Sequence, residues 1–517
     1  MSVLKNLKPQ SVFDYFEKIC GIPHGSGNTK KISEYLVSFA KEHGLHYDVD
    51  EYNNVIIYKN ATSGYENSPS VILQGHMDMV CEKEDDSTID FAKDGIELIV
   101  ENDVIHANKT TLGGDDGIAL AYILAILDSD DISHPAIEAV FTVDEEIGMI
   151  GASKLDYSKL SSKLMINLDS EDEGMILVSC AGGAVVTSRY TAPCQMLSIS
   201  DDGYGIGYFD QEKYKRVKIS INGLTGGHSG IEINKQRANA NVLLGRVLYA
   251  LSKKLYFNLV EVSGGLKDNA IPRSAYAIID LYFNEDDQEY NENVFDELSA
   301  LLNEYTEILK NEYRTTDSNL SIGLEHISYA NLKDEDLVNF YADYKNPTMD
   351  VISLLINQPN GVIKYNYNDA NEALTSLNLG IMTTDKFATT REVALCYLVR
   401  SNVNSEKKEI IEKIECLTKQ MEGYVDISGE YPAWEMKKDS HLTEIMKAAY
   451  KDLFGEEAIV TSVHAGLECG IFSDNIKDLD CVSIGPRMDD IHTPSECLYI
   501  DSVKKYWDYI ISVLEKL

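Results

Sequence analysis

Six short apolar runs in this 517-residue chain end on an acidic residue or a histidine. They are Val71-Ile72-Leu73-Gln74-Gly75-His76-Met77-Asp78, Leu112 to Gly117 with Asp115 and Asp116, Ala139 to Val143 followed by Asp144-Glu145-Glu146, Leu164 to Asp169, Val463 to Glu468, and Cys481 to Gly485 leading to His492. In open α/β sheets ligands lie in the crevice beyond the carboxyl ends of the strands, so residues far apart in sequence can meet there. The pattern predicts a sheet whose strands deliver metal-binding side chains to one place.

The chain is longer than the size at which a single core keeps growing, so two or more domains are expected. From 10 to 180, strand runs alternate with helical patterns, for example 118–127 after the glycine-rich Leu112 to Gly117, as βαβ units with a mainly parallel sheet require. The texture then changes, with strands over 184–190, 215–222 and 275–283 and a long helix over 238–253. A later set of similar elements follows, with helices over 293–313 and 406–422 and strands over 361–381 and 393–402, leaving an internal duplication open. Gly429 to Trp434 reads as a linker, after which a helix over 441–453 and a strand over 479–484 resume. The expected fold is α/β: a catalytic domain with a mainly parallel central sheet flanked by helices over 1–184 and 428–517, interrupted by an α+β lid domain over 185–427.

With 46 basic against 84 acidic residues and a formal charge of -38, the chain repels phosphate backbones and anionic membranes, which excludes nucleic acid as a partner. No run approaches the roughly 20 apolar residues of a membrane span. Nine cysteines without a Cys-x-x-Cys argue against a disulfide framework or a structural zinc module, and fit a reducing cytoplasm.

His76 and Asp78 stand two apart, so the carboxylate can accept from one ring nitrogen while the other binds a metal. In isolation His-x-Asp is ordinary loop chemistry, Asp115 or Asp116 an N-cap, Asp144 to Glu146 a solvated acidic turn and His492 a surface histidine. Together, two histidines and several carboxylates at strand ends make the mixed nitrogen and oxygen set suited to zinc, with cobalt or manganese as substitutes. Adjacent acids such as Glu145 and Glu146 can divide labour, one ligating and one acting as general base. No His-Glu-x-x-His, Gly-x-Ser-x-Gly or Walker loop occurs. Gly226-Gly227-His228-Ser229-Gly230 could place a histidine close to a substrate.

These motifs, with His464-Ala465-Gly466-Leu467-Glu468-Cys469-Gly470 and Asn167-Leu168-Asp169-Ser170-Glu171, resemble the dinuclear zinc aminopeptidase and aminoacylase family of co-catalytic metallopeptidases. Within it they are most similar to the bacterial aminoacylhistidine (Xaa-His, carnosinase-like) dipeptidases, in order and spacing over nearly the whole chain. One departure is Gly114-Asp115-Asp116 in place of that branch's usual Ala-Asp-Asn. The resemblance implies two zinc ions, one held by His76, Asp115 and Asp169 and the other by Asp115, Glu146 and His492. It makes Glu145 the general base toward a metal-activated water, Asp78 the residue orienting His76, and His228 a donor to the scissile carbonyl. Asn269 and Arg400 would meet the substrate carboxylate, with His464 and Gly466 also at the substrate. The implied activity is hydrolysis of small peptides, Xaa-His dipeptides above all. The alternatives are a broader di- or tripeptidase, an N-acyl amino acid deacylase on the same site, or a metal-dependent scaffold that lacks turnover. A homodimer is left open.

Overall fold

The computed structural model describes residues 3–198, 208–210, 213–283, 288–329, 332–333, 336–366, 372–387 and 390–517. The chain divides into two compact units, one built from 1–180 with 432–517 and the other from 181–431.

The first unit is organised on an eight-stranded sheet. Its order is His46–Val49, Val55–Lys59, Ile137–Thr142, Val71–His76, Leu164–Asn167, Asp480–Ser483, Met175–Cys180 and Ile459–Val463. The neighbours of Val71–His76 run parallel to it, as does Asp480–Ser483 to Leu164–Asn167, while His46–Val49 and Val55–Lys59 are antiparallel additions. Val71–His76 and Ile137–Thr142 are buried along their whole length, as strands covered on both faces must be. A strand from the chain's last forty residues thus sits between two that come before residue 181. Cys180 and Trp434 form an antiparallel bridge where the chain leaves and re-enters this unit.

Helix Gly114–Asp128 packs directly on Val71–His76. It is apolar on every side, and each residue from Gly114 to Leu127 is buried. Burying each of its leucines and isoleucines contributes about 1.5–3 kcal/mol. A Cβ on Gly75 would lie 2.8 Å from the Ala119 Cβ and 2.7 Å from Asp116 Oδ2, so this glycine permits the contact between helix and strand. Helices Gln10–Cys20, His441–Phe454 and Ile500–Leu514 present apolar faces to the same core.

Among the described residues the second unit carries an eleven-stranded, largely antiparallel sheet. Alternate residues of Tyr214–Asn222, namely Val217, Ile219 and Ile221, join a core with residues of helices Ala240–Ser252 and Pro347–Asn357. Within it Arg216 makes a two-pronged ion pair with buried Asp280, at 2.7 and 2.8 Å, and Asn339 and Tyr329 donate to the same carboxylate. With its acceptors satisfied in this way, a buried charge pair is tolerated.

Two expectations need correction. Leu112 to Gly117 is a turn into a helix rather than a strand end, because Gly113 takes a left-handed conformation at φ 71°. Gly429 to Tyr431 belongs to strand Tyr424–Tyr431, which pairs with Gly182–Ser198. Gly429 and the Pro432 that follows the strand resemble a linker, and the pairing is set by a strand more than two hundred residues earlier. No helix among the described residues is long and apolar enough to cross a membrane.

Candidate metal centre

Parallel pairing brings the carboxyl ends of Val71–His76, Ile137–Thr142 and Leu164–Asn167 to one edge of the sheet, where His76, the Asp144 to Glu146 turn and Asp169 emerge together. Asp115 enters from the start of helix Gly114–Asp128, and His492 from a loop in which it adopts a left-handed φ of 62°. Asp115 Oδ1 lies 3.0 Å from His76 Nε2, and its Oδ2 lies 3.0 Å from His492 Nε2. His76 Nε2 is also 3.6 Å from Asp169 Oδ1, and His492 Nε2 is 2.8 Å from Glu146 Oε1. One carboxylate therefore spans two imidazoles, each with a further acid beside it.

His76 is oriented from behind. Its Nδ1 lies 3.0 Å from the backbone carbonyl of Asp78 and 3.4 Å from the Asp78 carboxylate. That carboxylate also accepts from the Ser26 hydroxyl at 2.8 Å and from the backbone N–H groups of Glu145 and Glu146 at 3.0 and 3.4 Å. Asp78 thus fixes the histidine and the acidic turn together. Asp144 has φ 55° and its carboxylate accepts from Gly27 N–H at 2.7 Å, which ties the turn to the loop after the first helix.

Reading Asp115 or Asp116 as an N-cap is incorrect. The Asp115 and Asp116 backbones are non-helical, so the regular turns begin after them, and neither carboxylate accepts from an N–H of the helix. Asp116 turns back to the sheet instead, its Oδ2 accepting from His76 N–H at 3.0 Å.

The charges of the cluster point to cations. The carboxylates of Asp115 and Glu146 push the His492 imidazole up to about 11, against the opposing effect of burial. Burial, the largest influence on Asp115, would raise it, but the hydrogen bonds to His492 and His76 hold it well below the usual carboxylate range. Burial and the neighbouring acids push Asp169 up to about 6 and raise Asp116 and Glu145 well above the ordinary range, although His76 opposes each. Asp116 Oδ1 and Glu468 Oε1 are buried with no hydrogen-bond partner among the described residues, and Glu146 Oε1 is buried against the His492 ring. Crowded acids with unsatisfied oxygens beside two imidazoles fit divalent cations of the zinc, cobalt or manganese kind. Among the described residues three overlapping groups could each hold a cation, with the ligand atoms inside each group within 4.8 Å of one another: His76, Asp116 and Asp169; His76, Glu145 and Glu146; and Asp115, Glu146 and His492.

Beneath them runs a buried polar network that sequence reading did not supply. Asn167 donates to Gln74 at 2.6 Å, and Gln74 and Thr142 both donate to one oxygen of Glu468, at 2.5 and 2.6 Å. Burial pushes Glu468 up to about 7. Glu468 stands in a quoted motif, but its role depends on sheet register. Glu496, the other overlooked acid, lies four residues after His492 in a segment with no strand-end signature.

His464 is buried, and Gly466 is half-buried two residues further along in the first unit. His228, Asn269 and Arg400 lie in the second unit. His228 is in the short strand Gly227–His228, paired with Ala270, and Ser229 N–H donates to the Asn269 carbonyl at 2.9 Å. Gly230 N–H donates to His228 Nδ1 at 3.1 Å, which leaves the proton of a neutral ring on Nε2. Burial, and then the Arg400 charge, lower the His228 pKa from 6.5, in the direction that favours the neutral ring. Arg400 itself donates to the Tyr431 hydroxyl at 3.0 Å.

Comparison with known proteins agrees with this architecture. The chain is 36% identical over 517 residues to the cytosol non-specific dipeptidase of Escherichia coli K12, covering 100% of this chain and 99% of that protein. The crystal structure of aminoacylhistidine dipeptidase from Vibrio alginolyticus superposes with a TM-score of 0.86 at 33% identity, covering 99% of this chain and 98% of that one. A tripeptidase from Staphylococcus aureus shares the fold at 16% identity and a TM-score of 0.56, covering 99% of this chain and 98% of that one. Residues 72–516 match the pattern of peptidase family M20/M25/M40, and the chain belongs to that family.

Proposed function

We propose that this chain is a metal-dependent dipeptidase that uses two zinc ions, with Xaa-His dipeptides as its substrate class and the cytoplasm as its compartment. The observation that carries the reading is the Asp115 carboxylate, one oxygen 3.0 Å from each of two imidazoles that have further acids beside them. His76, Asp115 and Asp169 would hold one cation, and Asp115, Glu146 and His492 the other. When bound, the cations supply Lewis acidity and make water acidic enough to deprotonate near neutral pH.

Glu145 is the general base. Burial and the neighbouring acids raise its pKa well above the ordinary carboxylate value, toward the range where a base can both take and return a proton. It accepts the proton of the attacking water and passes it to the leaving amine. Asp78 holds the His76 ring and, through two backbone N–H groups, the turn that carries the base. His228 is assigned the donor role toward the developing oxyanion, on the chemistry of a neutral ring with its proton on Nε2. Asn269 and Arg400 are assigned the substrate carboxylate, and His464 and Gly466 line the substrate.

The test is a panel of β-alanyl-histidine, glycyl-histidine, other dipeptides, tripeptides and N-acyl amino acids, with zinc-loaded and chelated protein, scored by the amine released. Metal-dependent release of histidine from the Xaa-His members is expected. Release from N-acyl amino acids alone would refute the dipeptidase reading. A broader di- or tripeptidase is the second reading, favoured by the non-specific activity named for the Escherichia coli relative, and equal rates across the panel would establish it.

A further inference from the structure

We infer that Glu496 is a positioning residue that locks the two loops bearing Asp115 and His492 into one body, and so sets the affinity of the cation between them. The inference rests on the metal assignment proposed above and adds a residue to it.

Glu496 is 2% exposed, and its carboxylate lies inside the turn that begins helix Gly114–Asp128. Oε2 accepts from the N–H groups of Leu112 and Gly113 at 2.7 and 3.2 Å, and Oε1 from those of Gly114 and Asp115 at 2.8 and 3.5 Å. Successive N–H groups converging on one point make a nest of the kind that binds external anions. Here the anion comes from the same chain, across more than 380 residues of sequence.

The glycines make this possible. Gly113 has φ 71°, and a Cβ there would meet Met79 Sδ at 2.7 Å. A Cβ on Gly114 would lie 2.9 Å from Met488 Sδ and 3.2 Å from Glu496 Oε1. The turn is therefore shaped to the carboxylate, and Asp115 is the next residue along.

On the other side, Glu496 ends the segment that carries His492. Glu496 N–H donates to the Thr493 carbonyl at 3.1 Å, and the Thr493 hydroxyl donates to the Asp490 carbonyl at 2.7 Å, which folds His492 to Glu496 into a tight turn. The His492 side chain is 44% exposed and Asp490 and His492 both have left-handed backbones, so packing alone holds this ring weakly. With Glu496 in place, the 3.0 Å separation of Asp115 Oδ2 and His492 Nε2 is set by a rigid connection four residues away.

An amide at 496 keeps the volume but turns an NH₂ group toward donors. Loss of a partner that orients a ligand costs about 10- to 100-fold in metal affinity. The experiment is a Co2+ titration of the metal-free full chain, read by the visible absorption of the bound ion and by calorimetry, for the parent, Glu496→Gln and Glu496→Asp. The parent takes up two equivalents. In Glu496→Gln the first equivalent binds as in the parent and the second is weakened about 10- to 100-fold, with a changed absorption band; Glu496→Asp is weakened as well. Two equivalents bound with parental affinity and spectrum, alongside a lowered melting temperature, would make Glu496 a purely structural residue and overturn the inference. Fewer than two equivalents in the parent would overturn the dinuclear reading itself and this inference with it. If Glu496→Gln does not fold, Gly114→Ala presses on the same contact from the opposite side and is held to the same outcomes.

Discussion

Replacing Asp78 tests whether one carboxylate supports both His76, the histidine proposed to bind metal, and the acidic turn. Asp78 is 1% exposed, and in Asp78→Ala the Glu145 N–H, the Glu146 N–H and the Ser26 hydroxyl lose their acceptor at once. A hydrogen bond to a charged group contributes about 1.5–3 kcal/mol, and an orphaned buried donor costs about 1–3 kcal/mol. The Ser26 hydroxyl can rotate and the Glu146 contact is long, so the net loss is about 3–5 kcal/mol, a large part of the 5–15 kcal/mol typical of a folded domain. Asp78→Asn should behave differently. With its oxygen toward Glu145 N–H and its NH₂ toward Ser26, whose hydroxyl can turn to accept, it sacrifices only the charge and one long bond, about 1–2 kcal/mol. Chemical denaturation of both metal-free variants should separate them by about 1–4 kcal/mol. Zinc affinity should fall about 10- to 100-fold in each, because the His76 ring loses its anionic neighbour. An Asp78→Ala protein within about 0.5 kcal/mol of the parent, with unchanged zinc affinity, would refute the account.

Glu145→Ala should abolish turnover while two cations still bind, measured by metal analysis after dialysis; joint loss of metal and activity would make Glu145 a ligand. His228→Ala should bind metal normally and lose about 10²-fold or more in kcat, and unchanged kcat would remove it from the mechanism. Gly75→Ala sets a methyl against Asp116 Oδ2 and the Ala119 Cβ, and should cost about 1–3 kcal/mol in thermal or chemical unfolding. Glu232 accepts from His228 N–H at 2.9 Å, and the Lys235 hydrogen bond and then that N–H lower its pKa from 4.5 to about 2. Because the folded value is the lower one, its support of the His228 loop is complete above 4.5 and fades as pH falls through about 2. Carboxyl NMR should place that titration near 2, and a midpoint at 4.5 would mean the contact is not maintained in solution.

The gathering of histidines and acids was legible because strand ends announce themselves: an apolar run that stops on His76, Asp144 or Asp169 marks both the strand and the edge where it ends. Supporting residues were harder to read. The link from Gln74 and Thr142 to Glu468 exists only once Val71–His76 and Ile137–Thr142 lie in parallel register, and nothing local in sequence gives that register. Asp116 was hidden beside Asp115, since two acids at a helix start look like caps until the backbone turns one of them toward the sheet. Glu496 follows no apolar run and has meaning only with the glycine turn folded around it. The end of Tyr424–Tyr431 reads as a linker because its partner strand is remote and Gly429, with Pro432 just beyond the strand, resembles a turn.

The interleaving of the central sheet has a consequence for synthesis. Strand Asp480–Ser483 fills the slot between Leu164–Asn167 and Met175–Cys180, so the ribosome delivers both sides of that slot long before its occupant. At about 5–20 residues per second, some 300 intervening residues take roughly 15–60 s. Throughout that interval the nascent first segment carries two strands that lack a shared partner, the state most open to mispairing with other chains. A chaperone that shields it should raise the yield of native protein more than one that acts after release. The same delay leaves the proposed metal centre incomplete on the nascent chain, because His492 emerges later still.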